Sequence, residues 1–175
     1  MELCSKLEQK ELALCCAAYF SFQLAMISRL DDAAKFRLPD LKPYPKYENY
    51  AFMGRLPWSK NVREERDAPF QLLFASMDPW YDTHSLLGLW LEYRFEFYPQ
   101  DNEFVFCVDD LEDPDRIKDK IRKILFNILK SDEFEVRDSG LLGTHSTRKY
   151  AVTFARGTGC SKVSIILFLF FDKFV

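Results

Sequence analysis

Positive charge is not in excess in this chain: 24 Lys and Arg stand against 27 Asp and Glu, a formal net charge of −3. That excludes a global basic field, so any contact with nucleic acid has to come from a local cluster of cations. Paired CxxC spacing is also missing. The five cysteines, Cys4, Cys15, Cys16, Cys107 and Cys160, are odd in number, which argues against a zinc site or a disulfide frame and for reduced, mostly buried thiols of an intracellular protein. No apolar run occupies the N-terminus, where Glu2, Lys6, Glu8, Lys10 and Glu11 stand instead, so no secretory signal is expected. A stretch of about 20 apolar residues, the length a membrane span takes, is absent as well. There is no internal repeat or low-complexity segment, and neither a metal nor a cofactor is expected.

What is present is a hydrophobic fraction of 48% over 175 residues, enough for one folded domain with a sizeable core. From Leu7 to about Phe36 the apolar residues Leu12, Cys15, Cys16, Tyr19, Phe20, Leu24 and Ile27 recur at steps of three and four, which predicts a long, largely buried helix ending before Pro39. Arg29 and Asp32 fall near its C-terminal part. Pro39, Pro43 and Pro45 then impose an extended connection. YAFMGRLPWSKN and APFQLLFAS follow as two short strands around the charged turn 61–67, a hairpin with a lysine at its bend. A second helix is expected over about Asp82 to Phe97, and a short apolar segment over Asn102 to Val108. In DPDRIKDKIRKILFNILKSD, Asp113 reads as an N-cap and Pro114 as the first turn, with a stripe of Ile117, Ile121, Ile124, Leu125 and Ile128. The Lys and Arg residues of this segment form the one dense basic face, which reads first as a solvated surface. After Ser139 and Gly140, Thr144 can cap a last helix whose first turns carry His145 and Arg148.

His145 and Arg148 form an HxxR pair. Alone it is a weak signal, equally readable as a histidine bonded to backbone near a helix cap. It gains weight from other cations in the chain, because phosphodiester chemistry gathers several donors on one phosphate.

The string LGTHSTRKYAVTFA resembles the second motif of the tyrosine recombinase (phage integrase) superfamily. It is more closely similar to integrase-like proteins of eukaryotic mobile elements, in which the motif reads GTHSxRK. The resemblance runs back through the chain over most of residues 12 to 162. ISRLDD supplies an arginine after a helix with an acid three residues on, Arg29 and Asp32, and LPWSKNVREERDAP places Lys60 at the hairpin turn. The resemblance implies a mainly helical α+β fold, the DNA breaking-rejoining arrangement with a small antiparallel sheet. It also implies double-stranded DNA as partner, a homo-oligomer on that DNA, and action in the nucleus. Arg29 and Arg148 would hold the non-bridging oxygens of the scissile phosphate with planar paired donors. Lys60 would protonate the leaving 5′ oxygen as general acid, with Lys46, Arg63 and Arg66 as alternatives. His145 would add a donor or proton shuttle, Asp32 would orient Arg29, and Lys149 would touch a backbone phosphate. Arg29 beside Asp31 and Asp32 is also readable as a surface ion pair.

The same family uses a nucleophilic tyrosine, preceded by a second His or Trp donor, well beyond the HxxR helix. No tyrosine follows Tyr150 here, and Tyr150 lies too close to Arg148 to take that part, so strand cleavage is expected to be lost. Residues 1–162 therefore read as a partial catalytic domain. In the tail 163–175, VSIILFLFFDKFV, ten of thirteen residues are apolar. Lys162-Val163-Ser164 can be encoded across a splice donor, so the tail reads as translated intron and not as a designed strand. Two other classes compete. One is a non-enzymatic α+β interaction domain with an accidental HxxR. The other, a metal-dependent nuclease built on Glu8 and Lys10, is rejected because no acidic partner precedes them by a strand.

Overall fold

Helix α1, Lys10–Ala25, runs through the middle of the molecule, and the reason is its composition: Cys15, Cys16, Ala17, Ala18, Tyr19, Ser21, Phe22 and Gln23 are all buried. A helix that is apolar on every side has to be enclosed, and α3 and α5 both pack against this one. The computed structural model describes residues 10–56, 68, 70–77, 82–98, 101–107, 113–129 and 146–159.

The long helix expected to reach Phe36 is in fact two. The Ile27 N–H donates to the Leu24 carbonyl (3.2 Å) and the Ser28 N–H to the Gln23 carbonyl (3.0 Å), the paired bonds of a Schellman stop. Ile27 holds the left-handed position, at φ +46°, where glycine is usual. A branched side chain costs roughly 1–2 kcal/mol there. Nothing in the residue types announces this stop, which is why the periodicity carries past it. Helix α2, Leu30–Ala34, then starts afresh, and the Tyr19 hydroxyl ties it to α1 by donating to the Leu30 carbonyl at 2.5 Å.

Beyond a 3-10 turn at Leu38–Asp40, the expected extended connection contains a strand, β1 (Leu41–Pro43). It pairs antiparallel with β2 (Ala51–Arg55), which pairs in turn with β3 (Phe70–Phe74), in the order β1-β2-β3. Proline is tolerated in β1 because that strand is at an edge. The β2–β3 hairpin agrees with the sequence, in the register Gly54↔Gln71 and Arg55↔Phe70. Its connection, with Lys60, lies outside the described residues. Asp40, fully buried, fastens the 3-10 turn to the sheet: Oδ2 takes Arg37 Nε at 2.9 Å and Oδ1 takes Arg55 Nε at 2.8 Å.

Helix α3, Thr83–Phe97, begins at the Asp82 N-cap, which accepts the N–H groups of Ser85 and Ser76, both at 3.2 Å. Its buried stripe is Thr83, Leu87, Trp90 and Arg94. Trp90 and Arg94 grip the apolar segment expected at 102–108, described to Cys107, through its backbone. Trp90 Nε1 donates to the Val105 carbonyl (2.8 Å), Arg94 Nε to the Phe104 carbonyl (2.9 Å), and Arg94 Nη2 to the Asn102 carbonyl. That segment forms one bridge, Arg37↔Phe104. It adds Val105 and Phe106 to a core in which Phe22 stacks on Phe36 (centroids 4.4 Å) and Tyr19 meets Phe106 edge-on (4.9 Å).

Helix α4, Pro114–Leu129, follows its sequence signals. Asp113 Oδ1 accepts the Asp115 N–H at 2.9 Å, and Ile117, Ile121 and Ile124 are buried, the helix packing on α2. Helix α5 is Ser146–Gly157. The expected cap Thr144, His145 and the tail 163–175 lie outside the described residues. The fold class is mixed α+β: among the described residues, five α-helices and one small antiparallel sheet.

Candidate functional site

The stop at Ile27 decides how Arg29 is presented. The chain leaves α1 through the strained residue, and Arg29 becomes the N-cap of α2 with extended backbone (φ −80°, ψ 160°), half-buried. Its carbonyl accepts the Ala33 N–H at 3.1 Å. Its own N–H donates to the carboxylate of Asp32, the third residue of the helix, which is the returning half of a capping box. Asp32 was expected to steady Arg29 from one turn away on the same helix. Instead it sits just inside a new helix and holds the Arg29 backbone.

Helix α5 delivers the second arginine. Arg148, Ala151, Val152 and Ala155 are half-buried and share its inner face, while Lys149, Tyr150, Thr153, Phe154 and Arg156 are exposed. The inner face rests on α1. Arg148 thereby comes close enough for its charge, like that of Arg29, to act on Asp32. Burial raises the pKa of the Asp32 carboxyl. The Arg29 N–H bond and the two guanidinium charges pull it back only in part, and Asp31 adds to the rise. Asp31 is turned outward and answered by Lys118 of α4, at 3.7 Å. Among the described residues, neither the Arg29 nor the Arg148 guanidinium closes an ion pair.

The structure thus places Arg29 and Asp32 at the start of α2, puts Arg148 on the inner face of α5 where its charge acts on Asp32, and leaves Lys149 on the outer face of α5. Lys60 and His145 lie outside the described residues, as do Arg63 and Arg66. Lys46, another alternative for the lysine, is exposed and sits over the Tyr47 ring at 5.6 Å. Tyr150 faces solvent with Phe154, their rings 6.2 Å apart, so it cannot reach a phosphate held by Arg148.

Two guanidiniums that close no ion pair among the described residues, both acting on one half-buried carboxylate, are the kind of planar donors that can hold an anion. Among the described residues no group of three His, Cys, Asp or Glu could hold a metal ion. The described thiols, Cys15, Cys16 and Cys107, are buried and form no disulfide, and burial pushes Cys107 up to about 11 against the opposing charge and bond of Arg94, so it is no nucleophile at neutral pH. No helix among the described residues is long and apolar enough to cross a membrane.

Three residues that shape the site were not singled out from the sequence: Tyr19, Ile27 and Lys118. Each acts through a long-range or backbone effect that spacing does not record. No protein-family model, no curated protein and no solved structure matches this chain.

Proposed function

We propose that this protein binds the phosphodiester backbone of double-stranded DNA through Arg29 and Arg148, as a relative of the tyrosine recombinase catalytic domain. What supports the reading is that two arginines, neither of which closes an ion pair among the described residues, both act through their charge on one half-buried carboxylate. Arg29 and Arg148 are the two arginines that the family resemblance singles out, and the resemblance would also give the chain the DNA breaking-rejoining fold. On this reading the arginines hold the non-bridging oxygens, Asp32 fixes the Arg29 backbone, and Lys60 and His145 serve as proton donors to the same phosphate. Chromosomal DNA as substrate would place the protein in the nucleus, with copies assembled side by side on the duplex. Strand transfer also needs a nucleophile, a part that the exposed Tyr150 does not fill, so binding is the activity proposed.

Arg148→Ala is the test. Loss of one charge-assisted contact costs about 1.5–3 kcal/mol, so duplex affinity should fall at least about tenfold. The salt slope should drop by about one phosphate, with the thermal midpoint unchanged. Unchanged affinity in a folded variant rejects the reading. The second reading, a non-enzymatic interaction domain, is favoured by one observation: Tyr150 and Phe154 stack on the outer face of α5 at 56% and 61% exposure.

A further inference from the structure

We propose that copies of this protein associate head to tail, the outer face of α3 on one copy docking against the outer face of α5 on the next. This goes beyond the DNA reading and does not rest on it, since neither Arg29 nor Arg148 takes part.

Both helices rest their inner faces on α1, so their outer faces point away from the middle of the molecule and cannot meet within one chain. The two outer faces are opposite in charge and alike in apolar content. On α3 the exposed Glu92 and Glu96 stand one turn apart. Beside them run Leu89, 54% exposed, then Tyr93 and Phe97, 60% exposed, whose rings lie 4.5 Å apart. The one arginine of that helix, Arg94, is buried and spent on the carbonyls of Asn102 and Phe104. On α5 the exposed Lys149, Thr153 and Arg156 form one row and the stacked rings of Tyr150 and Phe154 the next, and the helix contains no acid. None of the four outer charges, Glu92, Glu96, Lys149 and Arg156, closes an ion pair among the described residues.

The rows also fix the direction. At about 100° of rotation per residue, the apolar row lies on the same side of the charged row in both helices, seen from the N-terminus. An antiparallel crossing therefore sets charge on opposite charge and ring on ring at once, with Lys149 toward Glu96 and Arg156 toward Glu92. A parallel crossing would set each charged row on an apolar one. Because the contact joins two different faces, a pair leaves one of each unused, and further copies extend a chain or close a ring. A single helix pair buries less than the ~1,600 Å² of a standard interface, so the association is weak and shows at high concentration.

The test is sedimentation velocity of the full chain without nucleic acid, at about 10 µM to about 500 µM, the range in which weak interfaces populate. The wild-type mean mass should climb with concentration, and less steeply in high salt. One variant carries Lys149→Glu with Arg156→Glu, another Glu92→Lys with Glu96→Lys. Each sets like charges opposite one another and should alone associate at least about tenfold more weakly. An equimolar mixture should regain association, since the two reversed faces match each other and the two unreversed faces do too. All four positions are exposed, so thermal midpoints should not move. Phe154→Ala and Leu89→Ala, milder changes on the two faces, should each weaken association severalfold and decide the matter where a reversed variant does not fold. A wild type that stays monomeric throughout overturns the proposal. So does a mixture that stays monomeric with both variants folded, and so does association that responds to the α5 variants while ignoring those on α3. Duplex binding is read separately through Arg148→Ala, so either reading can fail without the other.

Discussion

The molecule contains the same three side chains twice, two arginines and an aspartate, and uses them in opposite ways. At Asp40 the carboxylate is fully buried and each oxygen takes one arginine Nε, from Arg37 and Arg55, at 2.9 and 2.8 Å. Acceptors and donors are matched, so the charges are consumed in fastening a 3-10 turn to β2. At Asp32 the carboxylate is half-buried and receives a backbone N–H, so the guanidiniums of Arg29 and Arg148 reach it through their fields without closing on it. The difference is geometric. Arg37 and Arg55 approach from a turn and a strand that sheet pairing holds in place. Arg29 and Arg148 sit at the starts of two helices, where the backbone of Arg29 is fixed and both side chains stay available. Residue composition alone does not separate a structural ion cluster from a binding site; the identity of the group that bonds the carboxylate does.

The harshest way to break this contrast is to remove each aspartate. Asp40→Ala removes the buried carboxylate that two part-buried guanidiniums share and should cost about 3–5 kcal/mol, read from urea unfolding midpoints. Asp32→Asn, which keeps its acceptor, should change stability by less than about 1 kcal/mol. Equal losses would mean that both clusters are structural.

A finer test uses pH, because Asp32 and Asp82 are displaced in opposite directions. Burial alone would raise Asp82, but its bonds from the Ser85 hydroxyl and N–H and from the Ser76 N–H outweigh it and lower the pKa. A depressed acid gives stability that is present above the unfolded pKa and lost as pH falls through the folded one. The advantage of wild type over Asp82→Asn should therefore fade below about pH 4. For Asp32 the sign reverses. Its raised pKa makes the charged form a cost at neutral pH, and that cost is relieved as pH falls through the folded value toward the ordinary Asp range, so any gain shown by Asp32→Asn should shrink on acidification. Parallel pH curves for the two variants would contradict the difference in bonding between the sites.

The smallest effect concerns the turn that presents Arg29. At φ +46°, Ile27→Ala keeps the strain and loses the buried side chain, whereas Ile27→Gly loses the side chain and the strain together. Glycine should be the more stable of the two by about 1 kcal/mol, the reverse of the order found within helices. The usual order at this position would show that the turn carries no strain.

Much of the scaffold was legible in the sequence. Asp113, Pro114 and the isoleucine stripe marked α4, Asp82 to Phe97 marked α3, and alternating apolar runs marked the β2–β3 hairpin, because each signal acts over a few residues. The stop after α1 was not legible. No glycine or proline stands there, and the turn forms only because tertiary packing holds Ile27, 7% exposed, where it would not otherwise settle. That hidden stop also changed the meaning of Asp32, from a neighbour on one helix to a cap on the next. The Asp40 cluster was invisible for another reason: Arg55 reaches it across a sheet register that spacing does not reveal. That the charges of Arg29 and Arg148 both reach Asp32 was not legible locally, since no spacing links the start of α2 to α5.

The docking of α5 on α1 has a temporal consequence. In translation α1 emerges ahead of α5, and at about 5–20 residues per second roughly ten seconds of synthesis separate them. Through that interval the face of α1 that α5 covers has no partner helix. The docking of α5 on α1 is thus a late, long-range step that covers a surface α1 has already formed.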